Sequence, residues 1–282
     1  MQEQMVLVLG DFLEDRFDTY KQLHKHYELI DSKSFGGGAA ATYKYVRKLM
    51  ADKRNSWIYD VLEQKIANAL ITLKRQQFDE QTFVLLEKRQ DLESRVEDYH
   101  NMASSIFKSL LSPSTTIILV VSDYNKGSIK DLEINRFWQD LVATERISTI
   151  IVDSRYRTVP DSLLACAPIK IWHATGEEYD YQYAKKFDYT FHTNGADPIR
   201  ILNATSTVLA EIPVPVVNIV DTTGAGDCFT ASIAAYLARQ NIELTTHTLI
   251  DIALYAVANC LEVIQTPYTE IPALMIPIKH WR

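Results

Sequence analysis

The sequence predicts a three-layer α/β/α sandwich with a mostly parallel central sheet. Three observations predict this fold. Short apolar runs of strand length recur along the 282 residues, stretches of helical character lie between them, and most of the nine glycines fall at the junctions. Strands that alternate with helices build a parallel sheet with helices on both faces.

The predicted strands are short apolar runs that end at turn residues. The first run, residues 5–9, stops at Gly10 and Asp11. The other runs cover residues 115–121, 148–152, 169–173 and 216–220. Ligands of parallel sheets bind beyond the carboxyl ends of the strands, so the residues that follow each run are the candidate site residues.

The predicted helices fill the intervals between the strands. Residues 130–142 and 226–238 have helical character. Residues 39–112 contain neither glycine nor proline, which predicts helices over 56–75 and 83–111 with a strand near 81–86. The chain has no linker, internal repeat or low-complexity tract, so we expect one domain over residues 1–282.

The composition argues against several classes of protein. A formal net charge of −7 disfavours general binding of nucleic acid. No apolar run approaches the ~20 residues of a membrane span, and the polar N-terminus is not a signal peptide. Cys166, Cys228 and Cys260 have no CxxC spacing, which favours reduced thiols in a cytoplasmic protein. The histidines lack zinc-ligand spacing, and no Walker-type or G-x-G-x-x-G motif is present.

The segment with the clearest chemistry is the string D-T-T-G-A-G-D, from Asp221 to Asp227, between an apolar run and an alanine-rich helix. The small residues Gly224, Ala225 and Gly226 leave backbone N–H groups bare at the start of the helix, where the helix dipole also favours an anion. A carboxylate at Asp227 can take a proton from an attacking hydroxyl group beside that anion. The segment therefore predicts phosphoryl transfer.

This string resembles the C-terminal signature of the PfkB/ribokinase family of carbohydrate kinases. The resemblance implies a ribokinase-like fold, Asp227 as the catalytic base, an anion hole at residues 224–226, and ATP and Mg²⁺ as cofactors. It also implies that Thr222 lies in the cofactor site.

Two N-terminal segments resemble the acceptor side of the same family. Asp11, at the end of the first run, and the nearby Asp15 resemble its acceptor-binding aspartate region. Gly37 and Gly38 resemble its di-glycine segment, which opens a helix and hinges a lid over the acceptor. The lid segment itself, residues 17–35, is short for the family, so we expect a reduced lid.

Other segments resemble the family's nucleotide side. The string Ser122-Asp-Tyr-Asn-Lys-Gly127 resembles the heptose-phosphate kinase branch and is followed by Asp153 at the place of a Val-Asp-Pro-Lys-like segment. His192-Thr-Asn-Gly195 resembles a turn near the ATP phosphates, and Asn259 resembles an asparagine that borders the adenine. The cofactor-binding residues that these similarities imply are Lys126, Asp153, Thr193, Gly195 and Asn259.

The metal motif departs from the family pattern. The family's Asn-x-x-Glu motif, which organises Mg²⁺ and phosphate, corresponds here to Thr175-Gly-Glu-Glu178. Glu178 keeps the glutamate position, but Thr175 replaces the asparagine. We therefore expect Glu178 to hold Mg²⁺ through water.

The sequence as a whole predicts an ATP-dependent kinase that phosphorylates a hydroxyl group of a sugar or sugar phosphate, with a heptose phosphate favoured. Two alternatives stay open. One is a vitamin or nucleoside kinase of the same fold, and the other is a catalytically weak regulator that binds a nucleotide or a sugar. The expected partner is a small-molecule acceptor, with no nucleic acid and no membrane, and the sequence leaves a homodimer open.

Overall fold

The fold is built on two β-sheets with helices packed on the larger one. The structure is a computed structural model that describes residues 4–23, 26–50, 71–78, 82–84, 115–125, 129, 136–240 and 242–267. In chain order the strands are β1 (Gln4–Gly10), β2 (Phe12–Leu23), β3 (His26–Gly38), β4 (Ile71–Phe78), β5 (Thr82–Val84), β6 (Thr116–Asp123), β7 (Ile147–Ser154), β8 (Ile169–Thr175), β9 (Tyr189–Thr193), β10 (Ile199–Asn203) and β11 (Val208–Ile212). The helices are α1 (Ala39–Leu49), α2 (Arg136–Val142), α3 (Asp161–Leu164), α4 (Tyr181–Ala184), α5 (Ala225–Gln240) and α6 (Thr246–Ile264), with a 3₁₀ turn at Gly176–Glu178.

The larger sheet has seven strands in the order β1-β6-β7-β8-β9-β10-β11. The first five of these pair in parallel, and β10 and β11 continue the sheet in antiparallel pairs. Strand β6, which lies between β1 and β7, is buried at every position from Ile117 to Asp123. A strand covered on both faces needs apolar residues on both, which is why these strands appear in the sequence as continuous apolar runs.

Two apolar clusters cover the two faces of this sheet. On one face, Val120 and Ile151 pack with residues of α1, α5 and α6. On the other face, Leu119 and Val152 pack with residues of α2, α3 and α4. Helix, sheet and helix layers therefore follow one another, and the predicted three-layer α/β/α sandwich is confirmed.

Four of the five predicted strands are confirmed, and the fifth is wrong. Residues 5–9, 115–121, 148–152 and 169–173 lie in β1, β6, β7 and β8, whereas residues 216–220 form no strand. Val216 is 97% exposed, and the N–H groups of Val220 and Asp221 donate to the carbonyl oxygen of Ile264 at the end of α6. Pro213 and Pro215 precede this run, and proline offers no N–H to a strand ladder.

The second sheet is larger than the sequence suggests. It has four strands in the order β3-β2-β4-β5. The lid therefore includes strands beyond the short segment predicted at 17–35, and the expectation of a reduced lid is wrong. Strand β4 pairs in parallel with β2 over residues that the sequence assigns to the end of a helix at 56–75. The run Ile71–Phe78 is rich in helix formers, but pairing with a neighbouring strand outweighs this local preference.

The long helical predictions are tested only in part. Strand β5 confirms the strand near 81–86 and replaces the start of the helix predicted at 83–111. Residues 56–70 and 85–111 lie outside the described residues. The predicted helix at 226–238 is confirmed by α5, and the one at 130–142 is confirmed from Arg136 onwards, since residues 130–135 also lie outside the described part.

Helix α6 is long and apolar enough to cross a membrane by length and composition alone. Half of its apolar stretch is buried inside the fold, where Ile252 and Ala256 belong to the same apolar cluster as α5. The core helix of a globular domain has this composition too, and the packing against α5 accounts for it.

Glycine is required where β1 passes β6. Gly10 has a φ of +141°, and a Cβ atom built on it would lie 1.8 Å from the carbonyl oxygen of Ser122. The N–H of the next residue, Asp11, donates to that same carbonyl at 3.0 Å. The close approach of the two strands therefore sets the position of Asp11.

We expect Gly10→Ala to destabilise the protein by more than the roughly 1–3 kcal/mol typical of overpacking, because the clash is with backbone and φ is positive. Urea denaturation measures the free energy of unfolding. Gly226→Ala is the matched control, because its Cβ would meet only the His173 ring at 3.9 Å. Equal stabilities of the two variants would contradict the close approach at Gly10.

Candidate active site

The first turn of α5 lies over the carboxyl ends of the parallel strands. From this turn, Asp227 reaches Tyr124, which follows β6, and Thr230 reaches Asp153 at the end of β7. Residues 227 and 230 are three apart on one helix, so their side chains lie on the same face. The helix start thus joins two groups of polar residues, one around Asp227 and one around His173.

The turn that precedes α5 has the shape of an anion site but fewer bare N–H groups than the sequence predicts. Gly224 has a φ of +83°, which favours glycine. The Ala225 N–H donates to the Thr222 carbonyl at 3.2 Å, and the Cys228 N–H donates to the Gly224 carbonyl at 2.9 Å. Within the described residues, the Gly226 N–H has no backbone acceptor. An anion would therefore find its donor at Gly226 rather than at Ala225.

The first polar group surrounds the Asp227 carboxylate. Asp227 is only 6% exposed. Its Oδ1 accepts hydrogen bonds from the Thr42 hydroxyl at 3.1 Å and from the Tyr124 hydroxyl at 3.3 Å. A buried carboxylate needs such donors, since an unpaired one is costly to bury. The two donors come from α1 and from the loop after β6, so they fix the direction in which the carboxylate points.

Asp11 belongs to the same group through Tyr124. Asp11 is fully buried, and its Oδ2 accepts a hydrogen bond from the Tyr124 N–H at 2.8 Å. Its carbonyl oxygen accepts from the N–H of Ala39, the first residue of α1. Tyr124 thus contacts the predicted acceptor aspartate with its backbone and the predicted base with its side chain. No role is predicted for Tyr124 or Thr42 from the sequence, although Tyr124 lies inside the string from Ser122 to Gly127.

The di-glycine segment leads from the second sheet into α1. Gly37 and Gly38 pair with Leu13 and Phe12 at the base of the β2–β3 ladder, and both glycines are buried. Gly38 is the residue before the first turn of α1. Asp15 lies two residues after Leu13 in β2, opposite Phe35. The contact of these residues with an acceptor stays a prediction.

The second polar group is centred on His173, for which the sequence predicts no role. His173 is fully buried in β8. Its Nδ1 lies 2.9 Å from the Thr230 hydroxyl, and its Nε2 lies 3.0 Å from the Thr193 hydroxyl. Thr230 in turn donates to Asp153 Oδ2 at 2.9 Å. Three strand ends and α5 are therefore joined by one chain of hydrogen bonds. A lone histidine in an apolar run gives no sign of this in the sequence.

Glu178 lies beside this group at the end of the 3₁₀ turn. Its Oε2 accepts from the Thr175 N–H at 3.2 Å, and its Oε1 lies 3.7 Å from the Arg155 guanidinium. Burial raises the pKa of the Glu178 carboxyl above its ordinary value, and the nearby Asp153 carboxylate raises it further. Two carboxylates that repel each other in this way favour a cation between them.

The donor set fits a hydrated Mg²⁺ ion. Within the described residues no group of three or more His, Cys, Asp or Glu side chains could hold a metal directly. Mg²⁺ keeps several waters and is typically bound by one or two carboxylates together with substrate phosphates. Asp153 and Glu178 offer such a pair. Thr175, which stands where the family motif has an asparagine, donates its backbone N–H to Glu178.

The remaining residues predicted to bind the cofactor differ in how exposed they are. Thr193 ends β9 and is tied to His173, and Gly195 is exposed in the turn that follows. Thr222 is exposed beside the first turn of α5. Asn259 is fully buried between α5 and α6, where it donates to the Ser232 hydroxyl at 3.1 Å, so its contact with adenine stays a prediction. Lys126 lies outside the described residues.

Comparison with known families supports the interpretation of the C-terminal part. Residues 177–274 match the family model described as pfkB family carbohydrate kinase, and this stretch contains Asp227 and the turn before it. No curated protein matches the chain. The matched family is one of carbohydrate kinases, and the match covers residues 177–274 only.

Solved structures of ribokinase-like kinases share the fold over nearly the whole chain. The tetrameric inhibited form of phosphofructokinase-2 from Escherichia coli is 14% identical with a TM-score of 0.61, covering 94% of this chain and 95% of its own. Ribokinase from Giardia lamblia is 12% identical with a TM-score of 0.60, covering 95% and 94%. A nucleoside kinase from Burkholderia thailandensis, in complex with inosine, is 11% identical with a TM-score of 0.59, covering 98% and 95%. At these identities the likeness shows the ribokinase-like fold and does not select a substrate.

Proposed function

We propose that this chain is an ATP-dependent kinase that phosphorylates a hydroxyl group of a sugar or sugar phosphate, with Asp227 as the general base. One observation carries the proposal. The Asp227 carboxylate is buried, held by Thr42 and Tyr124, and placed one residue after the Gly226 N–H at the start of α5. A base and an anion donor lie side by side in the one segment that also matches the kinase family.

The chemistry follows from this placement. The acceptor hydroxyl gives its proton to an oxygen of the Asp227 carboxylate as its own oxygen bonds to the γ-phosphorus of ATP. The bond between that phosphorus and the β,γ-bridging oxygen breaks, and the electron pair leaves on ADP. The Gly226 N–H and the dipole of α5 stabilise the negative charge on the transferred group.

The second polar group is the proposed nucleotide side. Thr193 and Asp153 lie at the carboxyl ends of β9 and β7 and are linked to the start of α5 through His173 and Thr230, and Glu178 ends the 3₁₀ turn that follows β8. Mg²⁺, held through water by Asp153 and Glu178, would offset charge on the phosphates. Gly195 and Thr222 are exposed, which leaves them accessible to the nucleotide.

The acceptor is proposed to lie on the side of Asp11 and the second sheet. Asp11, Gly37 and Gly38 surround the start of α1, whose Thr42 contacts Asp227. A heptose phosphate is the acceptor that the Ser122–Gly127 string favours. The likeness to an inosine-bound nucleoside kinase makes a nucleoside the second acceptor class to examine.

An acceptor screen tests the proposal. Sugars, sugar phosphates including a heptose phosphate, nucleosides and pyridoxal are each incubated with ATP–Mg²⁺, and ADP release is measured. Release with a sugar phosphate supports the proposal, and release with only a nucleoside or pyridoxal supports the alternative. Nucleotide binding without release by any acceptor would favour a regulator that binds without catalysis.

We expect Asp227→Asn to lower kcat by ~10²–10⁴-fold, the typical contribution of a general base. Asparagine keeps the shape of the side chain but cannot accept the proton. The dissociation constant for ATP–Mg²⁺ should stay within about threefold, since the Gly226 donor is untouched. Single-turnover kinetics and calorimetry measure the two quantities.

Tyr124→Phe provides a graded comparison for the same carboxylate. It removes the hydrogen bond from the Tyr124 hydroxyl to Asp227 Oδ1 and retains the ring, while Thr42 still donates to the same oxygen. We expect a loss in kcat that is clearly smaller than that of Asp227→Asn. An Asp227→Asn variant within about threefold of the wild-type kcat would show that the base lies elsewhere.

Paired substitutions at Asp11 separate its structural role from its role toward the acceptor. Asp11→Ala removes the carboxylate that accepts from the partly buried Tyr124 N–H, which should cost about 1–3 kcal/mol of stability. Asp11→Asn keeps an oxygen in the same place and should preserve most of that stability. Loss of a charge-assisted bond to an acceptor hydroxyl costs roughly tenfold in KM, so both variants should raise the acceptor KM by at least that amount.

The KM for ATP serves as the internal control for both Asp11 variants and should stay within about twofold, because Asp11 is proposed to lie on the acceptor side. If Asp11→Asn leaves both KM values unchanged while Asp11→Ala lowers the melting temperature, Asp11 acts only as the acceptor for the Tyr124 N–H. That result would remove it from the proposed acceptor site.

A further inference from the structure

The His173 ring lies directly beneath the first turn of α5. It is fully buried and stacks on Phe229, with ring centroids 4.7 Å apart and an interplanar angle of 24°. A Cβ atom built on Gly226 would lie 3.9 Å from its Cε1. The ring thus supports the turn whose Gly226 N–H is the proposed anion donor.

The hydrogen bonds of this network fix which nitrogen of His173 carries the proton. Thr230 has one hydroxyl hydrogen, and it donates that hydrogen to Asp153 Oδ2. Toward His173 the Thr230 oxygen can then only accept, so the hydrogen of the neutral ring lies on Nδ1. Nε2 is left as an acceptor, and the Thr193 hydroxyl donates to it at 3.0 Å.

The Thr193 hydroxyl is therefore held in one orientation. Its hydrogen points inward to His173, and its lone pairs are left for a donor in the cleft, since Thr193 is partly exposed at the end of β9. Beside the phosphates of a nucleotide, a water bound to the cation can donate such a hydrogen bond, whereas a phosphate oxygen can only accept one. The Asp153 carboxylate, at the other end of the network, lies on the side of Glu178.

We propose that His173 is a positioning residue for nucleotide binding: it orients the Thr193 hydroxyl as an acceptor for water in the shell of the ATP-bound cation. The inference rests on the proposed function and deepens it. An apolar ring would fill the same space and stack on Phe229 equally well. A histidine with both ring nitrogens hydrogen-bonded to hydroxyl groups also orients those hydroxyl groups, which packing alone does not require.

A double-mutant cycle on His173 and Thr193 tests this. His173→Phe keeps the ring and its stack but removes both nitrogens, and Thr193→Val keeps the shape but removes the hydroxyl. Calorimetry gives the dissociation constant for ATP–Mg²⁺ in each variant, so no acceptor is needed. We expect each single substitution to weaken binding by roughly five- to tenfold, as for one hydrogen bond, and the double variant to be no weaker than the weaker single one.

Thr190→Val is the matched control, because Thr190 lies in the same strand, is buried, and has a hydroxyl without a hydrogen-bond partner within the described residues. It should bind ATP–Mg²⁺ as the wild type does. If His173→Phe does not fold, His173→Asn replaces it: its amide can still donate to Thr230 but is too short to reach Thr193, and the same loss of affinity is expected.

The outcomes separate the inference from the proposed function. Losses that multiply in the double variant, or a His173→Phe variant with wild-type affinity, would overturn the positioning role while leaving the kinase proposal standing. A wild-type chain that binds no ATP–Mg²⁺ would overturn both. Non-additive losses with a wild-type response of Thr190→Val would support the inference.

Discussion

The structure depends on how the start of α5 is held over the ends of the parallel strands. Asp227 accepts hydrogen bonds from α1 and from the loop after β6, and one turn later Thr230 binds the ends of β7 and β8. All of these contacts are buried or partly buried, where an unmade hydrogen bond is costly. The helix therefore has one favourable position relative to the sheet, and the turn before it has one shape.

This constraint brings two polar groups together at one helix start. Tyr124, Thr42 and Asp11 are tied to the Asp227 side. His173, Thr193 and Asp153 are tied to the Thr230 side. A kinase must hold an acceptor hydroxyl and a nucleotide in line, and positioning of this kind supplies much of the catalysis in phosphoryl transfer. The sheet holds these residues in place, and the close approach of β1 to β6 at Gly10 sets the position of Asp11.

The sequence predicts those features that depend on local patterns. The four buried strands appear as apolar runs, and the string from Asp221 to Asp227 marks the turn and the start of α5. The strand predicted at 216–220 fails because two prolines precede it and its N–H groups bind the end of α6. Strand β4 is not predicted because its residues favour helices, and it forms a strand only through pairing with β2.

The contacts that complete the site could not be predicted, because they join residues far apart in the chain. Tyr124 and Asp227 are 103 residues apart, and His173 and Thr230 are 57 apart. No periodicity links such positions. Their juxtaposition follows from the strand order, in which β6, β7, β8 and β9 end side by side.

The most direct test of the account is a crystal structure with a non-hydrolysable ATP analogue and Mg²⁺. The account predicts that the terminal phosphate accepts a hydrogen bond from the Gly226 N–H, roughly 2.7–3.2 Å between heavy atoms, with the Asp227 carboxylate facing that phosphate. It also predicts the cation on the side of Asp153 and Glu178. A nucleotide whose phosphates lie beyond hydrogen-bonding distance of the first turn of α5 would contradict the central claim.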